Sequence, residues 1–240
     1  MSEAPAAQAQ DSKRGFVAQR ERRVLIVVLA LAIPVALIVF PNLGPLFRTF
    51  TIPNAGNAPA MPRGSLIVAS RFGYGYSRYS FQSFELPITG RWPALGPKRG
   101  DMIVFYLPRD HSKYYVKRVV GLPGERIQMI NGRLAINGQI VVREPAPKLR
   151  DPSDVTKLAD TYVERLPEGA SYVIIETEGD RSHYDNTPEF LVPEGHVFVL
   201  GDNRDNSIDS REQSRTIGVG FVPIDLVIGP VILTLKPYAP

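Results

Sequence analysis

Cysteine is absent from the 240 residues, which rules out disulfides, thiolate nucleophiles and cysteine-held metals. Histidine is scarce, and His111, His183 and His196 keep no spacing that metal ligation uses, so no metal and no cofactor is expected. No run of Lys and Arg with interleaved aromatics occurs, and at a net charge of +4 no nucleic-acid partner is expected. Amphipathic helical periodicity of useful length is missing too, as are internal repeats. What remains is 44% hydrophobic and 22% charged, globular material with room for one sizeable domain and an appendage.

The appendage is N-terminal. Residues 1–23 begin with small polar residues too poor in bulk to bury anything and end in a basic cluster, Arg20, Arg22 and Arg23, with Lys13 and Arg14 upstream. Val24 to Phe40 follows without a charge, and Leu43 extends the apolar length. A buried core helix and a cleaved secretory signal peptide are the competing readings of this run. Its length and the lack of a clear small-x-small cleavage site favour an uncleaved transmembrane anchor over residues 24–43, in which Pro34 is tolerable. With the basic residues before the span, the N-terminus stays cytoplasmic and the domain from residue 48 to 240 lies outside the cytoplasm.

That domain has the grammar of a mainly β fold. Short apolar runs, among them 65–70, 101–107, 114–121, 170–177 and 196–201, are bounded by Gly, Pro and Asn. Asn131-Gly132 and Asn137-Gly138 are hairpin signals on either side of a short strand. The proline-rich stretches Glu144 to Asp160 and Phe84 to Lys98 read as long loops. The aromatic run from Phe72 to Phe84 fits either a hairpin with a packed aromatic face or an apolar platform for membrane or peptide.

Two polar features stand out against this background. Lys117 lies inside the strand-forming run YYVKRVVG; alternation puts it on one face with Tyr115 and Val119 and puts Arg118 on the other, so one cation must lie against apolar surface. A lysine there either snorkels to solvent or loses its proton by desolvation and becomes a general base. Far along the chain, GDNRDNSIDSR (201–211) packs two arginines and three aspartates into eleven positions after an apolar strand. A solvated turn is the ordinary explanation; Arg204 or Arg211 paired with Asp202, Asp205 or Asp209 would instead hold the loop rigid beside a functional group.

Together these two motifs, behind a single N-terminal span, resemble bacterial type I signal peptidases, the serine-lysine membrane peptidases that remove signal peptides from exported proteins. The resemblance runs over most of residues 52–231 and implies a twisted, largely antiparallel β domain resting on the plasma membrane behind one transmembrane helix, with preprotein signal peptides and the lipid bilayer as partners. It also implies Lys117 as general base, Ser207 as the hydroxyl orienting its amine, Asp209 and Arg211 as a supporting ion pair, and Tyr115 beside the base. Ile52, Leu66 and Val116 are candidates for the walls of the substrate groove.

One part departs from the pattern. The family segment Ile-Pro-Ser-Gly-Ser-Met-x-Pro aligns without a gap on residues 52–59, which places Gly56 at the nucleophile serine and Asn54 at the position that contributes to the oxyanion hole. Glycine cannot attack a carbonyl. Asn54 is either an oxyanion donor or a turn residue after Pro53. Two readings follow: a working serine-type endopeptidase that uses Ser65 or a water activated by Lys117, and a non-catalytic relative that binds signal peptides or export machinery without cutting. Ser65 lies nine positions beyond Gly56, about 30 Å along an extended chain.

Overall fold

The computed structural model describes residues 26–28, 30, 46–81 and 84–237. The chain divides into two compact units, residues 1–44 and 45–240. Of the first, Ile26, Val27, Val28 and Ala30 are helical and exposed; the rest of the anchor expected over 24–43 lies outside the described residues. Among the described residues no helix is long and apolar enough to cross a membrane.

The second unit is mainly β, as its punctuated apolar runs lead one to expect. A seven-stranded antiparallel sheet runs in the order Phe47–Thr51, Leu66–Ser70, Val227–Leu235, Met102–Leu107, Asp110–Gly121, His196–Leu200 and Val222–Pro223. Period-2 patterning decides its outer strands: in Leu66–Ser70, Ile67 and Ala69 are fully buried while their neighbours are half-buried. Its centre is covered on both faces. In Met102–Leu107, Val104 and Tyr106 join one apolar cluster with Phe50, Ile52, Ile67 and Val116, whereas Ile103, Phe105 and Leu107 join another with Val119, Val197 and Val199. A strand buried on both faces has no solvent side to which a charged residue can turn. Both Lys117 and Arg118 are therefore buried, at 5% and 9% exposure; alternation spares neither cation.

Smaller sheets surround this core. Arg126–Ile130, Arg133–Ile136 and Gln139–Ile140 form hairpins that also pair with Phe190–Leu191. Their turns are the two expected Asn-Gly pairs, with φ of +50° and +52° at the asparagines, where the left-handed region admits few other residues. Glu144 to Asp160 is not a loop. Most of it lies in two paired strands, Val142–Arg150 and Leu158–Arg165, which join Ser171–Glu176 in a three-stranded sheet. The prolines are tolerated because Val142–Arg150 is an edge strand that needs partners on one side only. In the aromatic run, Tyr76–Ser77 pairs with Arg91–Trp92, and the rings of Phe72, Tyr76, Phe81 and Phe84 follow one another at centroid spacings of 4.9 to 5.8 Å.

Candidate active site

The strand Asp110–Gly121 carries Lys117 between Ile103, its partner across the sheet, and the loop 201–211. Its Nζ lies 2.6 Å from Ser207 Oγ. Burial lowers the amine from its ordinary 10.5 to about 8, a fall that nearby Asp209 only partly opposes. The shift makes the neutral amine, with a lone pair available to accept a proton, more accessible near neutral pH than in a solvated lysine, and that is the condition for a general base.

The loop that presents Ser207 is held by ion pairs at both ends. Asp209 and Arg211 form a fully buried pair at 2.9 Å, and Asp209 also accepts the Gly201 N–H at 3.0 Å. Burial pushes the Asp209 carboxyl up, but the Arg211 guanidinium outweighs it and holds the group below the usual range. Arg118, next to the lysine on its strand, grips Asp202 through two hydrogen bonds of 2.7 and 2.6 Å, and its guanidinium stacks 4.0 Å from the centre of the Tyr172 ring. Arg204 turns away to Glu164, and Asp205 accepts the N–H groups of Thr177 and Glu178. Adjacent cations of one strand thus meet Asp202 and Ser207 of one loop. A methyl group on Gly201 would overlap Ser207 Oγ, so this glycine makes room for the hydroxyl.

Gly56 faces the lysine. A Cβ built on it would lie 3.3 Å from Lys117 Nζ, 3.2 Å from the Asn206 carbonyl oxygen and 3.4 Å from Asn54 Oδ1. Its φ lies outside the left-handed region, so the backbone does not demand glycine. Its carbonyl accepts the Asn203 N–H at 3.1 Å, which ties the segment to the 201–211 loop. Asn54 Oδ1 accepts the Gly56 N–H at 3.2 Å. That is an Asx turn, with the side-chain acceptor rather than its amide directed at residue 56.

These groups open on a cavity of about 490 Å³ whose lining includes Ile52, Asn54, Gly56, Tyr115, Val116, Lys117 and Ser207. Asp209 and Arg211 stand behind it. Leu66, expected in the wall, does not line it; it pairs with Thr51 and Leu235 within the sheet. Ser65 is also outside the lining, with its hydroxyl buried and without a hydrogen-bond partner among the described residues. Sequence reasoning missed Asn57, Tyr184 and Asn206 at the cavity. Asn206 lay within the polar motif. Asn57 Nδ2 donates to the Val116 carbonyl at 2.6 Å, a long-range contact with no signal in the sequence. Among the described residues no group of three or more His, Cys, Asp or Glu side chains could hold a metal.

A mainly β protein with a buried lysine hydrogen-bonded to a serine beside an open cavity has a group able to take up a proton next to space for a ligand. The chain is a member of the signal peptidase (peptidase S26) family, which matches residues 22–235. A signal peptidase I of Rickettsia typhi is 36% identical over 191 residues, 77% of this chain and 70% of the relative. That of Rickettsia massiliae is 36% identical over 189 residues, 75% and 68% of the two chains. Among solved structures, a signal peptidase I from Enterococcus faecalis shares 29% identity at a TM-score of 0.32, covering 56% of this chain and 95% of its own.

Proposed function

We propose that the protein acts on the signal peptides of exported preproteins as a membrane-anchored, signal-peptidase-type endopeptidase in which Lys117 is the general base. One observation carries the reading: the Lys117 amine is buried, holds its proton less tightly because of that burial, and sits 2.6 Å from Ser207 beside the cavity. A cation in that position costs stability and gives nothing back unless its proton is used. Ser207 fixes the direction of the amine; Asp209 and Arg211 hold the loop that carries Ser207 through the Gly201 N–H and the Arg204 carbonyl. A preprotein segment entering as an extended strand between residues 52–54 and 114–117 would place small side chains against Ile52 and Val116 and its scissile carbonyl near Lys117.

Gly56 favours a second reading, binding without cutting, because the site presents no hydroxyl where the relatives' pattern has one. A preprotein with a small-x-small site, incubated with the full chain in detergent, separates the two. Cleavage at that site, lost in Lys117→Ala, is the expected outcome. If the wild type only binds while Gly56→Ser cleaves, the second reading stands. Neither binding nor cleavage by either protein would sink both.

A further inference from the structure

The loop 201–211 carries three aspartates, and two of them have an arginine each. Asp202 pairs with Arg118 and Asp209 with Arg211, while the loop's other arginine, Arg204, is taken by Glu164. Among the described residues Asp205 has no cation. Its Oδ2 accepts the backbone N–H groups of Thr177 and Glu178 at 2.7 and 2.8 Å, and its Oδ1 is buried with no hydrogen-bond partner among the described residues. Two N–H groups hold a carboxylate in place without cancelling its charge. Of the three aspartates, Asp205 is also the one that lines the cavity, where the only other charge-bearing side chain is Lys117. Burial first, and Asp205 among the nearby charges, push the carboxyls of Glu176 and Asp185 up, so the charge of Asp205 is felt around it. A fixed charge with little water about it projects its field into an adjoining cleft. A preprotein segment between residues 52–54 and 114–117 leaves the rest of the lining, Tyr184 and residues 205–208, to the chain that continues past the scissile bond.

We infer that Asp205 is a specificity-determining residue that favours a positive charge on the ligand in the stretch following the scissile bond. The inference rests on the reading that the cavity takes a preprotein segment. Two sources supply such a charge. One is a basic side chain close after the bond. The other is the α-amino group at the start of a chain released by cleavage, which is largely protonated at pH 7. An acidic side chain in the same place meets a like charge. The bonds from Thr177 and Glu178 also tie the loop to the end of the strand Ser171–Glu176, which is a structural use of the same carboxylate. A structural use is indifferent to the charge of the ligand, and that separates the two roles.

Synthetic peptides with a small-x-small site and an N-methylated, uncleavable scissile amide test the first source. They carry lysine or its uncharged isostere norleucine, in turn at each position just after the bond, and their binding to the full chain in detergent is read by fluorescence anisotropy at low salt. At pH 9 Lys117, with its value of about 8, has largely given up its proton, while a solvated lysine keeps its own. The wild type is then expected to bind the lysine peptide about ten-fold more tightly than the norleucine peptide at the best position, and the gap is expected to close as salt rises. Asp205→Asn keeps an oxygen for the two N–H groups, loses the charge and is expected to bind both peptides alike. Peptides that begin just after the bond test the second source at pH 7: a free amino terminus is expected to bind the wild type more tightly than an acetylated one, with the difference lost in Asp205→Asn. Discrimination that depends on Asp205 in either pair supports the assignment and names the source. No discrimination by the wild type in either pair overturns it while leaving peptide binding intact, and so does discrimination that survives in Asp205→Asn. If no peptide binds at all, charged or neutral, the reading of the cavity as a preprotein site falls as well. Thermal melting checks that Asp205→Asn is folded; if it is not, the wild-type comparison and its salt dependence decide.

Discussion

At residue scale, the chemistry of Lys117 is set by what surrounds it. Burial leaves it only 5% exposed beside the cavity, the stabilising carboxylate Asp209 is shared with Arg211, and Arg211 itself disfavours a second cation. If Lys117 is the base, the neutral amine is the active form, and cleavage is expected to rise with pH through about 8 and then level off. A pH–rate profile with a rising limb nearer 10.5 would show a solvated lysine instead. The same shift bears on stability. An unfolded chain keeps this proton up to about pH 10.5 and the folded chain only to about pH 8, so folding releases it between those values. The cost of burying the group is therefore present in full below about pH 8 and fades as pH rises towards 10.5. Lys117→Met is expected to stabilise the fold by on the order of 2 kcal/mol at pH 7, part of the gain being offset where Ser207 loses its partner. Urea unfolding at pH 7 that gives an unchanged or lower midpoint would contradict a desolvated ammonium.

At the scale of elements, the lysine strand and the 201–211 loop act as one piece. Arg118 and Asp202 are both buried, at 9% and 1% exposure, so removing one partner leaves a charge with neither water nor counterion. Asp202→Ala is expected to destabilise by about 3–5 kcal/mol, whereas Asp154→Ala, which breaks the exposed pair with Lys157, should leave the urea midpoint nearly unchanged. Equal effects would mean that the buried pair does not organise the loop. Much of this was legible in the sequence. Lysine inside an apolar strand and a loop dense in Arg and Asp announced themselves by violating the usual placement of charge, and the Arg211–Asp209 pair lay among the combinations that composition allowed. What escaped was long-range. Arg118 finding Asp202, and Arg204 finding Glu164 in a different sheet, depend on tertiary approach that no local pattern encodes. Pro145 and Pro147 obscured the strand Val142–Arg150 because proline signals a loop locally, and only the sheet order reveals the edge position that accepts it. Leu66 was misplaced for a similar reason: an apolar residue near the motif looks the same whether it faces a cavity or a neighbouring strand.

At the scale of the whole molecule, the chain divides into two units, 1–44 and 45–240. Among the described residues, those lining the cavity beside Lys117 come from the second, including three segments remote in sequence: 51–57, 114–117 and 205–208. The composition of the first unit points to placement: basic residues up to Arg23, then the uncharged run from Val24 to Phe40. If that run spans the bilayer, the positive flank keeps the N-terminus in the cytoplasm and delivers the cavity to the far side, where signal peptides emerge. Full-length chain expressed in bacterial cells should then stay in the membrane through alkaline extraction, and a protease added to spheroplasts should digest residues 45–240 while sparing a tag on the N-terminus. Release by alkali would remove the anchor. Protection of the β unit with digestion of the tag would reverse the topology and leave the Lys117 cavity on the side where a signal peptide has yet to be exported.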